Sequence, residues 1–223
     1  MGDGMIRTKC FSVASKVLIA FFALTGITIQ TGIIEGDFDF RIFRMFTNIS
    51  NLMCAIYFIF AATIISLDKS RNGGSSPFPL FKGICTMSIT LTGIVAAAVV
   101  GSEMTADTAS GISTVLLHIV TPILIVTDWL LFDTKGRWHK TAPIWWLITP
   151  LLYFIYIMVT AQFMDSSDEL RFPYPFLDYE QTGLPFLMII VFVIAFFYIG
   201  IGYLCFFIDR KMGYLEKPLQ TDI

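Results

Sequence analysis

The sequence predicts an all-α polytopic membrane protein: one integral membrane domain over residues 1–223, built as a six-transmembrane-helix bundle with both termini cytoplasmic. Three observations predict it. The chain is 56% hydrophobic and only 14% charged, with a mean hydropathy of +0.74, too little charge to cover a soluble domain of this length. Its apolar residues gather into six blocks, roughly 11–34, 43–67, 81–101, 112–132, 143–163 and 184–208, each about as long as the 20 residues that cross a bilayer core. Its Lys and Arg residues alternate in placement. Arg7, Lys9 and Lys16, then Lys69, Arg71 and Lys82, then Lys135, Arg137 and Lys140, then Arg210, Lys211 and Lys217 fall on one side, and only Arg41, Arg44 and Arg171 fall on the other. Basic residues mark the cytoplasmic side, and an even number of spans agrees with both termini lying there. The opposite side is acidic, with Glu35, Asp37, Asp39, Asp165, Asp168, Glu169, Asp178 and Glu180 among others.

The first block follows a short basic segment but lacks a small-x-small cleavage pattern, so it reads as an uncleaved first span. The second opens with FTNISNL, residues 46–52, where Thr47, Asn48, Ser50 and Asn51 crowd four polar side chains into five residues. At about 100° per residue, Thr47, Ser50, Asn51 and Cys54 share a stripe with Asn48 at its edge. Such a stripe faces away from lipid, and its bland reading is helix-to-helix bonding at about 0.6–2 kcal/mol per group. The Asn48-Ile49-Ser50 sequon lies inside this span and is expected to be unused. The turn RNGGSSPFP, residues 71–79, leads to the third span, and the short polar loop 102–111 to the fourth.

The fourth span, STVLLHIVTPILIVTDWLLF, contains His118, the only histidine within a span. An ionisable residue there is a functional hypothesis by default. Pro122, four residues on, has no N–H for the carbonyl of His118, so the helix opens beside the imidazole. Asp128 reads as interfacial. Trp138, Trp145 and Trp146 read as an aromatic belt before the fifth span, in which Tyr153 and Tyr156 favour core packing. The 164–183 connection, MDSSDELRFPYPFLDYEQTG, is the longest and is acidic and aromatic, suited to lying on the lipid surface or folding back as a lid. Cys10, Cys54, Cys85 and Cys205 are dispersed and suggest neither disulfides nor a metal site. No cofactor is expected.

The second and fourth spans run in the same direction. Thr47 lies about four residues into its span and His118 about six, so at 1.5 Å per residue both sit roughly 6–9 Å below the outer interface. A base beside a hydroxyl is the minimal arrangement for nucleophilic acyl transfer. Arg44 could hold a fatty acid carboxylate or reach lipid phosphates. Asp178 could approach His118 only by inward folding of its loop.

Three segments carry a family resemblance: FTNISNL with Thr47, LLHIVTPIL with His118 and Pro122, and YPFLD at 174–178 before the last span. In these motifs, their order and the six-span layout, the chain resembles the androgen-induced and androgen-dependent TFPI-regulating family, and more closely its bacterial relatives. The resemblance implies a threonine hydrolase that cleaves fatty acid esters of hydroxy fatty acids, with Thr47 as nucleophile and His118 as base. Its partners would be membrane lipids and a lipid ester, with no nucleic acid, in the inner membrane if the cell is bacterial. Asn48 or Asn51 would orient the nucleophile or donate to the oxyanion, and Arg44, Tyr156 and Asp178 would support the substrate. The same polar stripe also suits two other classes: a protein that binds a lipid without cleaving it, and a small-solute transporter. Against a transporter stand the absence of a repeat, of a mid-membrane charge and of a broken helix pair.

Overall fold

The computed structural model describes residues 9–70, 76–99 and 108–216. Residues 71–75 of the expected turn, most of the 102–111 loop, Arg7 and the tail from residue 217 lie outside them. The described residues contain helices and no strand. Among the described residues, six helices are long and apolar enough to cross a membrane. They are α1 (Lys9–Gln30), α2 (Phe46–Leu67), α3 (Pro79–Val99), α4 (Ala109–Phe132), α5 (Ala142–Phe163) and α6 (Leu184–Glu216). The protein is therefore an integral, multi-pass membrane protein.

Their ends differ from the expected blocks where local chemistry intervenes. Helix α1 stops at Gln30 rather than running to residue 34, because the chain turns through Gly32 at a φ of 69°, where Asp37 O would lie 2.2 Å from an added Cβ. Ahead of α2, residues Phe40–Arg44 form a separate 3-10 turn, and Met45 is extended, so the helix begins at Phe46. Helix α6 continues well past residue 208.

Helices α1 to α4 pack tightly, α1 against α2 and α4, α2 against α3 and α4, and α3 against α4. Helices α5 and α6 pack on α3 from outside, and α6 leaves most of its surface to lipid, with Phe192, Phe196 and Phe197 exposed. Small residues permit the closest approaches. A Cβ at Gly26 would lie 2.7 Å from the Leu117 side chain, and the Ser113 hydroxyl donates to Gly26 O at 2.9 Å, which ties α1 to α4. Of the expected tryptophan belt only Trp145 is exposed. Trp146 is fully buried, and Trp138 stacks on Trp129 and donates to Pro79 O.

At the basic end, Asp128 is not interfacial. It is fully buried and shared by two lysines: Lys16 Nζ at 3.1 Å and Lys82 Nζ at 2.5 Å. Lys82 also pairs with Asp133 at 2.6 Å, and Ser15 and Ser76 donate to the two carboxylates. Two cations thus meet two anions inside the bundle, where an unpaired charge would be costly.

Candidate functional site

Helix α2 brings the polar stripe inward as a unit: Thr47, Asn48, Ser50, Asn51 and Cys54 are all buried. Two members bond α3. Ser50 Oγ meets Thr92 Oγ1 of α3 at 3.0 Å, and Cys54 donates to Cys85 O. Ser50 is therefore helix-to-helix glue.

Thr47 and His118 come together. Thr47 Oγ1 lies 3.1 Å from His118 Nε2. The other ring nitrogen, Nδ1, lies 3.1 Å from Thr114 O. A carbonyl can only accept, so Nδ1 carries the ring proton and Nε2 presents its lone pair to the Thr47 hydroxyl. In the neutral ring this orientation lets a proton move from Oγ1 to Nε2. A backbone carbonyl, not a carboxylate, fixes the tautomer.

The helix around His118 is not regular. Residues Leu116–Val120 form a π turn in which Thr121 N–H donates to Leu116 O. The cause is Pro122, whose ring would crowd the carbonyl of residue 118 in an α register and whose nitrogen has no hydrogen. In the π register, Leu117 O would take its bond from residue 122, again the proline. That carbonyl is satisfied from α2 instead: Asn51 Nδ2 donates to Leu117 O at 3.3 Å and to Thr47 O at 2.8 Å. Gly93 of α3 completes the fit, since a Cβ there would sit 3.4 Å from His118 O and 3.3 Å from Pro122 Cβ.

The pair borders a cavity of about 190 Å³ between α2, α3, α4, α5 and α6. Its walls are aliphatic and aromatic, and no Asp, Glu, Lys or Arg lines it. The YPFLD segment folds back over the site, and Tyr174, Phe176 and Leu177 form part of the lining.

The remaining expected site residues lie elsewhere. Asn48 Nδ2 donates to Ile42 O at 2.8 Å, and the amide nitrogen of Asn51 is committed as described; neither residue lines the cavity, so neither is placed to donate to an oxyanion there. Arg44 is buried with its guanidinium on Leu170 O at 2.6 Å, Arg171 O at 2.9 Å and Thr160 Oγ1 at 2.8 Å. It anchors the long loop and is not open to a substrate carboxylate. Tyr156 lies beneath the Arg44 guanidinium, 5.8 Å from ring centroid to Cζ, with 38% of its surface exposed and outside the cavity. Asp178 caps the short helix Tyr179–Thr182 by accepting from Glu180 N and Gln181 N, so it does not orient His118. The expected meeting of hydroxyl and imidazole is observed, although the helix starts differ from the expected span starts. Thr47 is the second residue of α2 and His118 the tenth of α4, yet the hydroxyl and imidazole meet, because helix ends do not define one membrane plane.

No family model, curated protein or solved structure matches this chain.

Proposed function

We propose that this chain is an intramembrane threonine hydrolase of fatty-acyl esters, such as fatty acid esters of hydroxy fatty acids. Thr47 is the nucleophile and His118 the general base. The reading rests on the 3.1 Å contact between Thr47 Oγ1 and His118 Nε2, in a tautomer set by Thr114 O, in the lining of an apolar cavity. The orientation follows the basic-residue distribution: both termini cytoplasmic, the site towards the outer leaflet, and substrate arriving sideways from lipid.

The chemistry is two acyl transfers. Thr47 Oγ1 gives its proton to His118 Nε2 and attacks the ester carbonyl. The tetrahedral adduct collapses, His118 returns the proton to the departing alcohol, and the acyl group remains on Thr47. Water then repeats the sequence and releases the fatty acid. The uncharged lining suits the acyl chain. With Arg44 occupied, a free carboxylate on the alcohol half would stay at the rim.

The test is hydrolysis of a branched fatty acid ester by purified protein in detergent. Thr47→Ala and His118→Ala should each remove most turnover, and the double variant should lose little more, because nucleophile and base act as a unit. Thr47→Ala that folds normally and turns over at the wild-type rate would exclude Thr47. Reversible lipid binding with no turnover by the wild type would favour the lipid-binding reading.

A further inference from the structure

We propose that the Tyr174 hydroxyl is a further catalytic group of this site, donating to the substrate carbonyl oxygen as negative charge develops on it. The inference rests on the hydrolase reading. Attack by Thr47 turns a carbonyl oxygen into an alkoxide, which an apolar cavity cannot solvate. A fixed donor aimed at that oxygen is therefore required.

Elimination identifies it. Besides Thr47 and His118, the polar side chains lining the cavity are Thr92, Tyr153, Tyr174 and Tyr198. Thr92 Oγ1 donates to Ser88 O and pairs with Ser50 Oγ. The Tyr153 hydroxyl donates to Arg44 O at 2.8 Å, and the Tyr198 hydroxyl to Trp146 O at 3.1 Å. His118 uses one ring nitrogen on Thr47 and the other on Thr114. Tyr174 alone among them makes no hydrogen bond to a backbone carbonyl among the described residues; it lines the same cavity as Thr47, and the polar groups that act on its phenol are the Thr47 side chain and the Thr47 and Phe46 backbones.

The surroundings suit that task. Helix α2 starts at Phe46 with no side-chain cap from Met45; the Met45 carbonyl takes the N–H groups of Asn48 and Ile49, and those of Phe46 and Thr47 precede them at the positive helix end. The backbone groups beside the Tyr174 oxygen are those of this first turn. A carbonyl oxygen entering beside Thr47 Oγ1 meets the phenol and this positive helix end together. The donor is also held in place. The Tyr174 ring stacks on Phe176 at 5.5 Å between centroids and meets Tyr153 edge-on at 6.2 Å, and Tyr153 in turn packs edge-on against Phe46 at 5.2 Å. Burial pushes the Tyr174 phenol above its ordinary range, against smaller hydrogen-bonding contributions from Thr47 and Phe46, so it keeps its proton at neutral pH. No proton leaves Tyr174 in the reaction: its hydroxyl donates to the oxyanion only while the negative charge is present.

The experiment compares wild type, Tyr174→Phe and Thr47→Ala in detergent, with a 4-nitrophenyl ester of a long-chain fatty acid as substrate. Tyr174→Phe keeps the ring and its stacking. Its kcat should fall about 10²–10³-fold, the effect of one oxyanion donor, with KM little changed. Affinity for the matching trifluoromethyl ketone, whose adduct with Thr47 carries the same oxyanion, should fall in parallel. A group that only packs would leave both values intact in Tyr174→Phe. Turnover by wild type that Tyr174→Phe retains in full would overturn this inference alone. A wild type with no Thr47-dependent turnover would overturn it together with the hydrolase reading.

Discussion

Replacing Asp128 by Asn removes one charge from a buried group of four and leaves its partners nearly in place. Lys16 makes its ion pair with Asp128, whereas Lys82 also holds Asp133 at 2.6 Å. Lys16 has no exposed surface, and its ammonium would be left with the Ser12 hydroxyl at 2.9 Å. Removing one partner of a buried pair costs about 3–5 kcal/mol, and Asn, which keeps the size and one acceptor oxygen, belongs at the lower end. At about 2–4 °C per kcal/mol for a chain of this size, the midpoint of thermal unfolding in detergent should drop by about 6–12 °C. The double variant Lys16→Met with Asp128→Asn restores neutrality and leaves the Lys82–Asp133 pair, so it should recover much of that loss. Asp128 lies ten residues along α4 from His118, about 15 Å at 1.5 Å per residue, so surviving Asp128→Asn protein should keep its turnover. A midpoint unchanged in Asp128→Asn, or a double variant no better than the single, would refute the account of this cluster as a mutually neutralising group.

Pro122→Ala restores an N–H at the position that forces the π turn, so α4 should tighten and draw His118 away from Thr47. Ester turnover should fall at least tenfold with little loss of thermal stability, and a kinetic comparison with wild type checks it. For orientation, cysteine at Glu169 should react with an impermeant thiol reagent added outside intact cells, and cysteine at Lys140 only after permeabilisation; the opposite pattern would invert the membrane orientation.

The six spans were legible because hydrophobic length survives any detail of packing. The acidic end follows the same logic. Its three arginines are committed to local partners: Arg41 to Asp39 and Asp168, Arg44 to loop carbonyls, and Arg171 to Glu180. The pairing of Thr47 with His118 was legible as chemistry, a hydroxyl and an imidazole on parallel spans. The supporting residues were not. Arg44 and Asp178 have the charge that a substrate or a histidine would want, but backbone carbonyls and N–H groups claimed them first, and no side-chain pattern announces a backbone partner. The ion cluster was hidden for a similar reason. Lys16 and Lys82 fit the pattern of orientation signals, and their convergence on Asp128 depends on the packing of three helices.

The cluster in FTNISNL has a physical account that joins both halves of the site. A proline in α4 opens the helix and leaves Leu117 O without a backbone donor. Asn51 supplies that donor and, with the same amide nitrogen, holds Thr47 O. One side chain therefore clamps the helix end that carries the hydroxyl to the turn that carries the imidazole. Ser50 locks the stripe to α3, and Asn48 takes Ile42 O of the preceding 3-10 turn. Of the four polar residues, three hold backbone or neighbouring helices and the fourth, Thr47, keeps its hydroxyl facing the imidazole. A helix that served only to bind its neighbours would have no need to present that hydroxyl to an apolar cavity. The cluster thus makes a distance of 3.1 Å the rest position of the pair, so that under the proposed hydrolysis a reaction at Thr47 would begin without reorganising the bundle.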